Sequence, residues 1–200
     1  MKSAYNVFCA NLDRVRAIHA LHLVFSNSVT SVVDLSDILR SEMVLIVSAL
    51  DHFVHEITRT GMLEIWAGAR APAGTFENFT LTMTSAQQIK AGASGESLLE
   101  VEIRNRHGHL SFQHPDKIAD AIRNFSSVKL WDGVSTILGR TPQDVKAQLK
   151  LIVERRNKIA HEADIDPSFP GQRWPITRAD VEDALSFVSD LGRVILQVVK

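Results

Sequence analysis

Residues 141–162, TPQDVKAQLKLIVERRNKIAHE, contain the clearest helix signal in the chain. Thr141 can cap a helix with its hydroxyl group, Pro142 suits the first helical position, and Asp144 faces the positive end of the helix dipole. The apolar residues that follow keep the helical period. They are Val145, Leu149, Ile152, Val153, Ile159 and Ala160. The stretch therefore predicts a helix from Pro142 to about Glu162.

Apolar residues recur with helical spacing on both sides of this stretch, which predicts an all-α fold. The other predicted helices cover residues 4–25, from Asp34 or Ser36 to about Gly61, 86–90, 98–105, 115–124, 128–138, and a final helix after a capping box at Thr177 and Asp180. The segment 68–98 differs, because it is rich in Gly, Ala, Ser and Thr. It predicts a loop-rich excursion with an extended piece at 76–83.

The composition is typical of one globular domain that spans residues 1–200. Apolar residues make up 45% and charged residues 22%, which argues against disorder, and the longest apolar stretch, Met43–Leu50, is too short to cross a membrane. A lone Cys9 and the lack of a secretory signal predict a cytoplasmic protein. The net charge is −1, so the chain has no overall basic field, and any attraction to a nucleic acid must come from a local patch.

The stretch 154–162, ERRNKIAHE, is the densest polar cluster on a predicted helix. Asn157 and His161 share one helix face, whereas Arg156 lies about 140° around the axis from His161 and roughly 7.5 Å along it, within reach of a long side chain. A guanidinium can hold a phosphate while an imidazole moves a proton near neutral pH. On charge pattern alone, a solvated helix face with ordinary Glu/Arg ion pairs is the favoured interpretation of the cluster.

The stretch from Arg156 and Asn157 to His161 resembles the signature of the HEPN superfamily, an Arg, four to six residues, then a His. Three longer runs are similar to the subgroup called RiboL-PSP-HEPN: RRNKIAHEADIDPSFPGQRWPIT (155–177), SFQHPDKIADAI (111–122) and SALDHFVHEI (48–57). The resemblance implies a HEPN-type four-helix bundle with additional short helices. It also implies a homodimer whose two motifs face a shared cleft.

The resemblance implies a metal-independent endoribonuclease without a cofactor, which acts as a toxin or antiviral-defence effector beside an antitoxin or regulatory protein. Arg156, Asn157 and His161 match the catalytic signature, and Arg155 and Lys158 are candidate RNA contacts. Arg156 would stabilise the phosphoryl oxygens while His161 serves as general base or acid, and the partner's His161 could complete the pair. The alternative is a non-catalytic HEPN module that binds RNA, nucleotide or a protein partner.

Other histidines offer competing interpretations. His52 with His55, and His19 with His22, have zinc-binding spacing, but neither pair has a clear third ligand, so no metal site is predicted. Asp51, His52 and His55 either form local pairs or border the cleft. The loop NRHGHLSFQHPD (105–116), with His107, His109 and His114, is either a plain exposed loop or a surface that contacts the RNA backbone.

Overall fold

Helices dominate the computed structural model of the chain, which describes residues 1–30, 32–73, 75–169 and 171–200. The α-helices are α1 (Lys2–Ser28), α2 (Ser36–Trp66), α3 (Met83–Lys90), α4 (Gly95–His107), α5 (Pro115–Arg123), α6 (Leu130–Leu138), α7 (Pro142–His161) and α8 (Arg178–Val199). The described residues contain no β-strand, only an isolated bridge between Ile165 and Arg173, so the predicted all-α fold is confirmed. None of these helices is both long and apolar enough to cross a membrane. Three residues of predicted loops, Ser31, Gly74 and Pro170, lie outside the described residues.

Helix α2 is the central element, because it packs against α1, α4, α5, α7 and α8. Its side chains Ile46, Phe53 and Ile57 are fully buried. Burial of one such side chain contributes about 1.5–3 kcal/mol to the free energy of folding. The predicted end near Gly61 was wrong: a Cβ at Gly61 would lie 2.3 Å from the ring of Phe125. This glycine therefore marks a close approach inside the helix, which continues to Trp66.

Hydrogen-bonded caps fix the starts of α7 and α8, as the sequence predicted. The hydroxyl oxygen of Thr141 accepts the backbone N–H of Asp144 at 3.1 Å. The hydroxyl oxygen of Thr177 accepts the N–H of Asp180 at 3.2 Å, and the Asp180 carboxylate accepts the N–H of Thr177 at 2.7 Å. Both caps satisfy N–H groups that a helix start leaves unpaired.

The 68–98 segment is an excursion, but the extended piece predicted at 76–83 was wrong. A single 3-10 turn, Phe76–Asn78, occupies its first part, and Thr82 then caps α3 by accepting the N–H of Ser85. The carboxylate of Glu102 in α4 accepts hydrogen bonds from the hydroxyl groups of Thr82 and Ser85, the latter at 2.6 Å. These polar contacts fasten the start of α3 to α4, where an extended strand would have no partner strand.

Candidate active site

A cavity of about 670 Å³ lies between α7, α5 and the loop 108–114, which joins α4 to α5. Helix α7 contributes Arg156, Asn157 and His161 to its wall, and α5 contributes Lys117. The other lining residues are His107, His109, Leu110, Ser111, Phe112, Gln113, His114, Asp120, Ala121, Asn124 and Val153. The volume falls within the range of sites that bind small molecules. The three residues of the signature therefore face one cavity of ligand size.

The Arg156 side chain is held by the loop on the opposite wall. Its Nη2 donates a hydrogen bond to Oε1 of Gln113, a residue that is itself buried. Burial lowers the pKa of Arg156, while the negative charge of Asp51 acts against this shift. A guanidinium stays protonated in proteins even so, and it has five N–H donors. Arg156 thus remains a cation with donors left for a ligand in the cavity.

Asp51 supports the loop from behind instead of lining the cavity. Its carboxylate accepts the backbone N–H of Phe112 at 2.6 Å. The buried ring of Phe112 lies 4.4 Å from the ring of His55 and 5.5 Å from that of His107, measured between centroids. A charge-assisted bond and ring packing therefore fix the residue before Gln113. Asp51 acts on the site through the loop that holds Arg156.

His52 and His55 face a different cavity from the signature residues. They line a space of about 260 Å³ between α2 and α4, together with Glu56, Arg59 and Arg104. The position of these residues on α2 turns their side chains toward α4, so the expectation that they border the Arg156 cavity is not met. His55 Nε2 lies 3.9 Å from Asp51 Oδ1, which matches the local pair considered above. Among the described residues, no three metal-binding side chains converge there.

Asn157 and His161 both line the cavity, and their spacing on α7 places them on one face of that helix. His161 is exposed at the last residue of the helix. In the part of the chain that the structure describes, no hydrogen bond joins the two side chains. The ring nitrogens of His161 are consequently open to a ligand, and Asn157 offers an amide to the same ligand.

Arg155 and Lys158 contact the segment after α7 and do not line the cavity. The Arg155 guanidinium donates to the carboxylate of Asp164, at 2.9 Å for one bond, and to the carbonyl oxygens of Trp174 and Pro175. The Lys158 ammonium lies 5.0 Å from the centre of the Trp174 ring, a cation–π contact. Arg155 was expected to contact RNA. In the structure its N–H groups donate to acceptors inside the protein, and the side chain does not line the cavity.

A strained turn follows directly after His161. Ala163 and Asp164 have positive φ angles of 52° and 59°, which cost about 1–3 kcal/mol each in a residue other than glycine. The Asp164 side chain is fully buried, and its carboxylate accepts a hydrogen bond from Nε of Arg40 in α2 at 2.7 Å, besides those from Arg155. Two guanidinium groups thus fix this turn, and with it the end of α7 that carries His161.

Gln113 and Lys117 belong to the cavity, although the sequence did not single them out. Lys117 is an exposed cation on α5 with no ion pair among the described residues. Both residues fall within SFQHPDKIADAI (111–122), one of the family-like runs. That likeness was the available signal, but no local spacing indicates that this run faces α7.

Comparison with known families gives a match that contains every residue lining the cavity. The family model of RiboL-PSP-HEPN matches residues 10–200. The match includes α2, the 108–114 loop, α5 and all of α7, which together form the cavity and the loop support described above. No curated protein and no solved structure matches the chain.

Proposed function

The chain belongs to the RiboL-PSP-HEPN family, and from this premise we propose that it is a metal-independent endoribonuclease. The observation that carries the proposal is the convergence of Arg156, Asn157 and His161 on one cavity. Lys117 of α5 adds a second cation to the lining of the same cavity. RNA cleavage needs cations for the phosphoryl oxygens and a side chain that can take up and release a proton. This cavity contains both.

In the proposed reaction, the ribose 2′-oxygen attacks the neighbouring phosphorus. Arg156, held by Gln113, stabilises the charge that develops on the phosphoryl oxygens. His161 transfers a proton at one end of the reaction, and Asn157 donates its amide to the ribose or phosphate. The bond from phosphorus to the 5′-oxygen breaks. The products carry a 2′,3′-cyclic phosphate and a 5′-hydroxyl group.

A homodimer through α7 is part of the proposal. Leu151 is a large apolar side chain on α7 with 66% of its surface exposed, and it lies on the same helix as the signature residues. Helical spacing places Leu151, Lys158 and His161 along one stripe of α7. A second chain that covers Leu151 would join the two molecules along the helix that carries His161. This arrangement matches the shared cleft that the family resemblance implies.

Cleavage of RNA in the presence of EDTA tests the proposed activity. We expect the wild-type protein to cut, and Arg156→Ala and His161→Ala to lose activity by about 100-fold or more, the usual contribution of one proton-transfer group. The matched controls, Arg16→Ala and His52→Ala, change an exposed arginine and an exposed histidine outside the cavity and should cut like wild type. Equal activity in all five proteins would identify a contaminating nuclease.

The alternative is a non-catalytic module that binds RNA or nucleotide in the same cavity. This alternative is supported if every preparation binds RNA in an Arg156-dependent manner while none cuts it.

For the cellular role, we propose a toxin or defence effector that an antitoxin or regulatory protein controls. Expression of wild type should then stop growth, and expression of His161→Ala should not. Growth arrest by both proteins would contradict a catalytic toxin.

A further inference from the structure

A second histidine stands on the cavity wall opposite α7. His114 precedes α5, and its side chain, 44% exposed, lines the cavity that contains Arg156 and His161. It directly follows Gln113, which accepts the hydrogen bond from Arg156. His114 occupies the N-cap position, yet its side chain makes no cap hydrogen bond. Its ring is therefore available for a ligand held at Arg156.

A carboxylate faces one nitrogen of this ring. Nδ1 of His114 lies 3.8 Å from Oδ2 of Asp116. This is longer than a hydrogen bond, so the carboxylate lies beside the ring nitrogen without bonding to it directly. With Nδ1 turned toward Asp116, Nε2 remains for the reacting groups. A histidine oriented by a carboxylate is a recurring arrangement for proton transfer.

The other two histidines of this loop fit the role less well. Burial lowers the pKa of His107 to about 4, so its ring is neutral and carries no proton to donate near pH 7. Its Nδ1 is also enclosed within the protein. His109 is exposed on the same cavity, but among the described residues no carboxylate faces its ring. Of the three, His114 alone combines access to the cavity with a neighbouring carboxylate.

Cleavage requires two proton transfers, one from the 2′-hydroxyl group and one to the departing 5′-oxygen. We propose that His114 is the general acid and His161 the general base of one site within a single chain, an inference that rests on the proposed endoribonuclease function. His161 takes the 2′-hydroxyl proton as the bond from the 2′-oxygen to phosphorus forms. His114 gives its proton to the 5′-oxygen as that bond to phosphorus breaks. The partner's His161 is then not needed for the chemistry.

A change of leaving group tests this assignment. The wild type and variants are compared on an RNA that the wild type cuts, and on the same RNA with sulfur in place of the 5′-oxygen at the cut site. A thiolate leaves without a proton, because thiol groups have a pKa of about 8.5. His114→Ala should lose about 100-fold or more on the oxygen substrate and regain most of that rate on the sulfur substrate. His161→Ala should be slow on both, and the control His52→Ala fast on both.

Each contrary result has its own meaning. Wild-type rates for His114→Ala on the oxygen substrate would overturn the inference and leave the endoribonuclease proposal intact. Equal losses on both substrates would also overturn it, because they indicate a binding or structural role. If the wild type cuts neither substrate, the proposed function fails, and the inference fails with it. Retained RNA binding and unchanged circular dichroism of His114→Ala identify a folded protein.

Mixing the two inactive variants tests whether the pair lies in one chain. Every chain in a mixture of His114→Ala and His161→Ala lacks one member of the pair, so a site within one chain predicts no recovery. Recovery of activity in the mixture would show that the two histidines act across a dimer, which would overturn the single-chain site.

A pH–rate profile of His114→Ala adds a second readout, since loss of the acid should remove the decline in rate on the alkaline side of the profile. Other titratable or charged groups lie around His114, and they affect the pH–rate profiles of the wild type and the variant alike. They are Asp116, Lys117 and Asp120 on α5, His109 on the loop, and Arg156 on α7.

Discussion

Gln113 holds the cation of the site, although it has no charge and cannot transfer a proton. Its side-chain oxygen accepts the hydrogen bond from Arg156 across the cavity. The neighbouring Phe112 is fixed by the Asp51 carboxylate at 2.6 Å, so the acceptor itself has a defined position. A guanidinium without this partner would explore many rotamers, and a displacement of about 1 Å costs on the order of 100-fold in rate.

Replacement of Gln113 by leucine should therefore reduce catalysis without unfolding the protein. We expect kcat for RNA cleavage to fall by about 10- to 100-fold, with a smaller change in KM, because the cation remains but is misplaced. Gln148→Leu serves as the control, since Gln148 makes an exposed hydrogen bond with Arg140 outside the cavity. Unchanged kcat in Gln113→Leu would mean that the Gln113 contact does not position Arg156.

The sequence could place residues of the site next to one another only where they share one helix. Asn157 and His161 are neighbours because a helix turns about 100° per residue, and this placement is independent of the rest of the fold. Gln113 lies 43 residues from Arg156 along the chain, and only the packing of α5 and the 108–114 loop against α7 brings them together. No local periodicity encodes that contact. The role of Arg155 was missed for the same reason, because its partner Asp164 belongs to a turn.

At the scale of elements, the end of α7 depends on a buried charge cluster. Asp164 is fully buried between Arg40 and Arg155. Replacement by asparagine leaves two guanidinium groups without their carboxylate, and such a loss typically costs about 3–5 kcal/mol. We expect Asp164→Asn to lower the free energy of unfolding by that amount in urea denaturation.

The matched control for this variant is Asp190→Asn, which breaks an exposed pair with Arg193 and should cost no more than about 1 kcal/mol. A similar small cost for Asp164→Asn would show that the cluster does not stabilise the turn after His161.

A second charge cluster joins three helices. His19 in α1 contacts Glu42 of α2 at 2.7 Å through Nδ1 and Glu182 of α8 at 3.0 Å through Nε2. Burial lowers the pKa of His19, but hydrogen bonds and charge from the two carboxylates outweigh it, so the pKa is raised overall. Burial also raises the pKa of Glu42, against the opposing effect of His19. Both shifts favour the protonated forms in the folded protein.

This cluster predicts a stability that falls as pH rises. The contribution of a protonated His19 is complete below its usual pKa of 6.5 and is lost as pH rises through the raised value in the folded state. The difference in unfolding free energy between wild type and His19→Gln should shrink over this range. His22→Gln should show the opposite slope, and below pH 6.5, because burial lowers the pKa of His22 in the folded protein. A difference for His19→Gln that does not change with pH would contradict the linkage.

The helix boundaries could be predicted from sequence where contacts between nearby residues determine them. The caps at Thr141 and Thr177 lie within three residues of their partners, so the starts of α7 and α8 could be predicted from sequence alone. The 76–83 segment could not, because Thr82 is fixed by Glu102, twenty residues away on α4. The end of α2 was misplaced for a related reason: the closeness of Phe125 to Gly61 arises only in the folded chain.

At the scale of the whole molecule, the proposed homodimer makes a prediction about mass in solution. Leu151→Glu places a charge in the proposed α7 interface, where burial of an unpaired charge is strongly unfavourable. We expect light scattering to give the mass of two chains for wild type and of one chain for this variant. Ile137→Glu on α6, at another exposed apolar residue, is the control and should remain dimeric. A dimeric Leu151→Glu protein would exclude this stripe of α7 as the interface.

The central claim is that the Arg156, Asn157 and His161 cavity cuts RNA by attack of the 2′-oxygen. Mass spectrometry of the ends that wild-type protein produces in EDTA tests this claim most directly. Attack by the 2′-oxygen predicts 2′,3′-cyclic phosphate and 5′-hydroxyl ends, and no cut where a single 2′-deoxynucleotide replaces the nucleotide that supplies the attacking oxygen. Ends with a 3′-hydroxyl and a 5′-phosphate, or continued cutting at the 2′-deoxy position, would contradict it.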